Sequence, residues 1–359
     1  MDSCLKSEPG TSAKPLMEIL HDCADGYKKF TALKAALEMR VFEQLTVPRT
    51  PEELAETLGT DPGLTENLCR ILVSLGLIVR EKGCYKNSDL SSTYLTAGSP
   101  LHQREVILNL ANGLKLWEQL PGILQSGPIV ASEEQYFANN LIHSLAREAL
   151  CGELQRTVGL VTRCVEFEKA RKLLDLGGGH GLYAIAFAAA NPNIRAYVYD
   201  FPDVAQDTRQ YIKEFRANRV EVLQGNFFQD DLAEGYDVVF FASNPGGKNR
   251  HLVPKIYSCM NEGGLFINKH CFYSPEEYSK SALLDMEWSL TGFAGAAKEN
   301  RVYSFAGDLF FEDYLALLQE YFNIIEIHQA PDFAGYPLSK IGDTLDSKII
   351  IGTKKTGAE

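Results

Sequence analysis

Residues 173–202 read LLDLGGGHGLYAIAFAAANPNIRAYVYDFP. An apolar strand closes on Asp175 and enters a bend with Gly177, Gly178, Gly179 and Gly181, after which LYAIAFAAA winds into a helix. Glycine carries no Cβ, so the backbone of such a bend can lie directly against a ligand. The helix that follows turns free N–H groups and a partial positive charge toward an anion. A second strand, IRAYVYD, ends in Asp200, a position from which a carboxylate accepts from ribose hydroxyls. A dinucleotide turn of spacing G-x-G-x-x-G would need a third glycine at position 182, where the chain has Leu182. The shorter G-x-G-x-G bend suits a ligand with a carboxylate and a ribose but no pyrophosphate. S-adenosylmethionine (SAM) has that inventory.

Working outward toward the C-terminus, apolar runs alternate with helical segments: VAQDTRQYIKEF, VEVLQGN, YDVVFFAS, HLVPKIYSCM and GGLFINKH. Strands of this kind separated by helices predict an α/β fold with a mostly parallel sheet covered on both faces. The end departs from the alternation. A helix around LFFEDYLALLQEYF precedes NIIEIHQA and SKIIIGTKK, which predict an antiparallel edge pair.

Toward the N-terminus, Phe30, Leu33, Ala36, Leu37, Val41, Phe42 and Leu45 recur at helical spacing. Thr50, Pro51 and Glu53 form a capping box that starts a helix ended by Gly59. A second helix runs from about Gly63 to Leu75, and IVREKGCYKNS predicts a two-stranded ribbon turning at Lys82-Gly83. Helix, turn, helix and ribbon make a winged helix. Its charge speaks against DNA: between Thr50 and Gly76 the one basic residue is Arg70, against Glu52, Glu53, Glu56, Asp61 and Glu66. A structural or dimerising module fits better.

Composition agrees. The 359 residues carry 35 Lys and Arg against 47 Asp and Glu, a formal charge of −12, which excludes a nucleic-acid backbone as main partner. Eight cysteines without a C-x-x-C pair and seven histidines without H-x-x-x-H offer no metal site. No run approaches the ~20 apolar residues of a membrane span, and the first residues lack the blocks of a signal peptide. The expectation is a cytoplasmic protein with no membrane partner.

DLGGGHG, YDFPDV, GNFF, DVVFFASN and NEGGLFINKH together resemble the successive motifs of class I SAM-dependent methyltransferases. More narrowly they resemble the family-2 O-methyltransferases of caffeate, acetylserotonin and antibiotic-tailoring type. FTALKAALEMRVFEQL, the winged module and NSDLSSTYLTAGSP are similar to that family's N-terminal dimerisation region. The resemblance implies a Rossmann-like seven-stranded methyltransferase sheet with an antiparallel C-terminal hairpin, and a homodimer in which one subunit helps close the other's pocket. The corresponding division is a flexible tail (1–15), a winged-helix-like dimerisation domain (16–110), a helical linker contributing to the acceptor pocket (111–168) and a SAM-binding domain (169–359).

Carried over by position, the resemblance implies that Gly177 and Gly179 line the methionine moiety, with Asp175 and Gly181 also among the cofactor-binding residues. Asp200 then holds the ribose, and Phe201 lies beside the adenine. The family's G-D-x-F is here Gly225-Asn226-Phe227-Phe228, so the Asn226 carbonyl takes the place of an acid facing the adenine amine, next to Phe227.

Catalysis departs further. A neutral phenol, with a pKa of about 10, is a poor nucleophile, and a general base contributes roughly 10²–10⁴ in rate. The family takes that proton with a His in an H-D-W-like triplet, which DVVFFASNPGGKNRHLVPKIY lacks. Asp237 fits the strand and Asn249-Arg250 the helix, joined by a shortened Asn244-Pro245-Gly246-Gly247 link; His251 lies too far into the helix. His270, at the end of the next strand, is the candidate replacement base, with Glu287 as its orienting acid.

In the resembled family the acceptor sits against helices before and after the cofactor segment. Phe137, Asn140, His143, Met286, Trp288 and Phe293 are the corresponding candidates, an aromatic wall for a flat apolar acceptor. The expected activity is SAM-dependent methylation of a hydroxyl on a small aromatic metabolite. A carbon, nitrogen or sulfur acceptor, or a non-catalytic SAM-binding dimer, are the alternatives that the missing triplet leaves open.

Overall fold

A computed structural model of the chain describes residues 8–138, 140–244, 246–329 and 347–356, the side chain of Asn140 excepted. The chain divides into two compact units, Met1–Leu108 and Asn109–Glu359.

The first unit begins with α1 (Lys14–Glu38) and α2 (Val41–Gln44). The winged helix follows: α3 (Pro51–Leu58), α4 (Pro62–Ser74), β1 (Ile78–Glu81), β2 (Cys84–Asn87) and α5 (Asp89–Tyr94). Thr50 starts α3 as the capping box requires: Glu53 N–H donates to Thr50 Oγ1 at 3.3 Å, and Thr50 N–H to Glu53 Oε2 at 2.9 Å. Gly59 ends it at φ +66°, and Asp61 caps α4 by accepting from Leu64 N–H at 2.8 Å. Lys82 and Gly83 both take positive φ (49° and 84°) between paired Glu81 and Cys84. That is the twist a two-residue hairpin turn needs. Phe42, Leu54, Leu72, Ile78 and Tyr85 close the core. Arg70 pairs with Glu66 on its own helix, so the one basic residue of the second helix is neutralised locally. Leu16, Met17, Ile19 and Leu20 leave an apolar stretch of α1 exposed.

The second unit is entered through α6 (Arg104–Trp117), followed by α7 (Leu120–Ser126), β3 (Ile129–Ala131), α8 (Glu133–Phe137), α9 (Asn140–Ala149), α10 (Glu153–Val161) and α11 (Val165–Lys169). The α/β part comprises β4 (Lys172–Leu176), α12 (Leu182–Ala190), β5 (Arg195–Asp200), α13 (Pro202–Glu214), β6 (Val220–Gln224), β7 (Tyr236–Ala242), α14 (Leu252–Cys259) and β8 (Met260–Cys271). It ends with α15 (Ala282–Ser289), β9 (Thr291–Phe293), α16 (Phe311–Tyr321), β10 (Phe322–Gln329) and β11 (Ser347–Lys354).

The sheet has seven strands in the order β10-β11-β8-β7-β4-β5-β6. Strands β4 to β8 are parallel, and β11 runs antiparallel to both β8 and β10. Burial on both faces explains the near-continuous apolar runs: Val238, Val239, Phe240 and Phe241 are all 0% exposed. Their side chains supply alternately the two core clusters on either side of the sheet, each burial contributing roughly 1.5–3 kcal/mol. Asp237 ties the sheet's lower edge by accepting from the N–H groups of Arg171 (2.7 Å) and Lys172 (3.0 Å). Between β4 and β7 the connection direction reverses, and at such a switch point the strand ends leave a crevice. No described helix is long and apolar enough to cross a membrane.

Candidate active site

The crevice lies where β4, β5 and β7 end. Gly177, Gly178 and Gly179 form its floor, with Asp175, Asp200 and Asn244 beside them and Phe137, Ile142, Phe201, Val204 and Phe227 as apolar walls. Gly177 stands at φ +61°, and a Cβ there would collide with the Asn244 amide, so glycine is required by both conformation and space. Gly181 has a different reason. It caps α12 at φ +71°, and a Cβ would lie 2.7 Å from Thr208 Cγ2, so this glycine lets α12 and α13 approach and does not line the crevice.

Asp200 is fixed from both sides. Its Oδ2 accepts from Gly179 N–H at 2.8 Å and its Oδ1 from Phe201 N–H at 2.8 Å. Each oxygen keeps lone-pair capacity for a further donor in the crevice. Burial pushes its pKa up to about 6, against the two N–H bonds that hold it down, with Glu134 adding a smaller upward push. Asp175 is 1% exposed and caps α12 by accepting from Ala184 N–H at 3.2 Å. Burial pushes it up to about 7. Glu133 lines the crevice too, raised by burial and by the Asp200 charge. Carboxylates crowded this way suit a cationic ligand.

Several expected site residues sit elsewhere. Asn226 turns its Oδ1 to Phe228 N–H at 2.9 Å, building a local turn, and does not line the crevice. His270 is 3% exposed and also stands outside the lining. Its Nε2 accepts from Asn244 N–H at 3.1 Å and its Nδ1 pairs with Asn268 Oδ1 at 3.2 Å. Burial, then the cations of Lys248 and Lys269, holds its pKa well below the usual value. With its basic lone pair facing a backbone donor, His270 is not placed as a base. Glu287 does not reach it: the carboxylate accepts from the Trp117 indole N–H at 3.1 Å.

The acceptor candidates divide similarly. Phe137 lines the crevice, while the Asn140 side chain lies outside the described residues. His143 faces α13, with Nδ1 2.8 Å from Tyr211 Oη and Nε2 3.4 Å from Asp207. Met286 is half-buried on α15, away from the lining. Trp288 and Phe293 enclose a residue of the chain itself: Lys298 Nζ lies 3.8 Å from the Trp288 ring centroid and 4.5 Å from that of Phe293. The same ammonium donates to Trp288 O and to Thr291 O and Oγ1. An aromatic wall in sequence is here a box around an internal cation.

Glu133, His180, Tyr183 and Asn244 line the crevice without having been singled out. His180 lies inside the glycine bend, where its Nδ1 accepts from Leu182 N–H at 3.1 Å. Asn244 lies two residues beyond the end of β7, in the shortened link that the sequence made visible. Glu133 offers no signal beyond being an acid in a helix's first turn.

The site's donors and acceptors fit SAM: a glycine floor that side chains would fill, a fixed carboxylate for a diol, aromatic walls and an acidic surround for a cation. Among the described residues no cluster suits a metal ion.

Comparison with known proteins agrees with this geometry. Residues 21–97 match the model of the O-methyltransferase dimerisation domain, and 141–310 that of the O-methyltransferase domain. An uncharacterised protein of Methanocaldococcus jannaschii is 36% identical over 92% of this chain and 91% of its own length. Acetylserotonin O-methyltransferase of Bos taurus is 29% identical over 69% of this chain and 79% of its own. Among solved structures, an O-methyltransferase family protein from Burkholderia thailandensis superposes with a TM-score of 0.72 at 19% identity, covering 98% of this chain and 100% of that one. Human N-acetylserotonin methyltransferase in complex with SAM gives 0.63 at 22% identity, covering 98% and 99%. The chain belongs to the SAM-dependent O-methyltransferase family, with that family's dimerisation domain preceding its O-methyltransferase domain.

Proposed function

We propose that the protein binds SAM in the crevice at the ends of β4, β5 and β7 and methylates a small molecule there. The observation that carries this reading is Asp200, held by Gly179 and Phe201 N–H groups at 2.8 Å each while facing the cavity floored by Gly177 and Gly179. Bound SAM supplies an electrophilic methyl group on a sulfonium. Asp200 accepts from the ribose hydroxyls, Phe201 and Phe227 flank the base, and the glycine floor admits the methionine chain. Phe137, Ile142 and Leu145 give the crevice an apolar lining, which favours alignment of two reactants over solvent competition.

The first reading of the acceptor is a hydroxyl on a small aromatic metabolite. A second has a specific observation behind it: neither His270 nor Glu287 reaches the cavity. An acceptor atom that is already nucleophilic, such as an amine nitrogen or a thiolate sulfur, needs no strong base. The matched dimerisation domain and the exposed apolar residues of α1 support a homodimer.

Incubating the protein with methyl-labelled SAM and a cell extract, followed by mass spectrometry, tests both readings. A labelled methyl ether supports the first and a labelled amine, thioether or C-methyl product the second. SAM binding without any labelled product would overturn both.

A further inference from the structure

Asn244 and His270 belong to one hydrogen-bonded circuit. His270 Nε2 accepts from Asn244 N–H at 3.1 Å, so the neutral ring carries its proton on Nδ1 and donates it to Asn268 Oδ1 at 3.2 Å. Asn268 passes its amide N–H to Tyr314 Oη at 2.9 Å, and Tyr314 donates to Gly247 O at 3.2 Å. Gly247 N–H returns to Asn244 O at 3.1 Å. Strand β8 and helix α16 thus grip both ends of the turn after β7. The His270 ring packs onto Gly247 so closely that a Cβ there would collide with it.

The circuit holds the Asn244 backbone, and two further bonds set its side chain in one orientation. Its Nδ2 donates to Leu176 O at 3.0 Å and to Ala242 O at 2.9 Å, the last residues of β4 and β7. With both amide hydrogens engaged, Oδ1 is left beside Gly177, and Asn244 and Gly177 both line the cavity. Among the described residues no donor reaches it. A fixed, open carbonyl oxygen on a glycine floor is an acceptor for a cation or a cationic donor.

We propose that Asn244 Oδ1 contacts the cationic methionine end of bound SAM, and that His270 is its positioning residue, acting through the Asn244 backbone. This rests on the SAM-binding reading above. Burial keeps the ring neutral and therefore an acceptor; an imidazolium would set a donor against the Asn244 N–H and open the circuit. His270 shapes the cofactor site without touching the reacting atoms.

Titration calorimetry of the full-length protein with SAM and with S-adenosylhomocysteine tests this. Asn244→Ala is expected to weaken SAM by about tenfold or more, the scale of a hydrogen bond to a charged group. His270→Phe is expected to weaken SAM by a similar factor and His270→Gln, which keeps an acceptor, to recover most of it. The double variant Asn244→Ala/His270→Phe is expected to bind no worse than Asn244→Ala, because both changes remove one contact. Both ligands carry the ammonium and only SAM the sulfonium, so a loss for both assigns the ammonium and a loss for SAM alone the sulfonium methyl. Unchanged SAM affinity in folded Asn244→Ala overturns the proposal, and additive losses in the double variant overturn the positioning role. If His270→Phe does not fold, the Asn244→Ala and His270→Gln measurements decide the matter. Failure of the unaltered protein to bind SAM would instead overturn the cofactor reading itself.

Discussion

The Asp200 carboxylate accepts the Gly179 N–H at 2.8 Å, joining the end of β5 to the glycine bend after β4. This one bond connects two strand ends that the chain order separates, and it aims a fixed acid into the crevice. Replacing Asp200 by Asn removes the charge and sets an amide N–H against one of the two backbone donors. Asp200→Asn is expected to weaken SAM by roughly ten- to hundredfold, as losing a charge-assisted bond does, with the fold retained by circular dichroism. Calorimetry checks it.

SAM affinity is expected to rise as pH increases from about 5 to 7. The raised pKa of Asp200, about 6, means that the ligand-free site holds a proton at the acidic end of that window. Accepting from a diol beside a cation favours the ionised acid, so binding releases protons. Calorimetry in buffers of different ionisation enthalpy measures the release; an affinity independent of pH would count against the role given to Asp200.

The ligand-free fold has the opposite dependence at Asp175. Its folded pKa, about 7, lies above the ordinary value of about 3.9, so the folded state binds more protons between them. The stability supplied by the neutral acid is present below that window and is lost as pH rises through about 7. Asp175→Asn keeps an acceptor for Ala184 N–H and removes the titration, so its melting temperature is expected to fall less between pH 5.5 and pH 8 than that of the unaltered protein.

Lys298 is expected to be structural. Desolvation lowers its pKa to about 8, and removing the ammonium would leave the carbonyls of Trp288 and Thr291 without their donor. Lys298→Met should cost about 1–3 kcal/mol of stability for the unpaired oxygens, visible as a lower melting temperature, while SAM affinity changes less than about twofold. A tenfold loss of SAM affinity would reassign it to the site.

Introducing a charge into the exposed apolar stretch of α1 tests the homodimer. Ile19 is 60% exposed, and Ile19→Glu is expected to halve the mass measured by light scattering without changing the circular dichroism spectrum. A monomeric unaltered protein would overturn the dimer reading.

The local sequence was sufficient wherever backbone chemistry decides. Thr50, Pro51 and Glu53 specify a helix start through bonds spanning three residues, and Lys82-Gly83 a tight turn, so both are legible without the rest of the chain. The alternation of apolar runs with helices likewise specified the parallel sheet, because strands buried on two faces have no polar side. The glycine bend and Asp200 were legible for the same reason: each needs a particular residue type at a strand end.

Side-chain partnerships between distant segments were decided by the tertiary structure alone. Nothing in NKHCF indicates that His270 faces a backbone donor 26 residues earlier in the chain, nor does DMEWSL indicate that Glu287 turns to Trp117. Trp288 and Phe293 have the composition of a ligand wall, yet Lys298 occupies the space between them. A residue's type determines what it is able to bond. Which partner it meets depends on packing that brings remote strands and helices together, and proton affinity follows from that packing through burial.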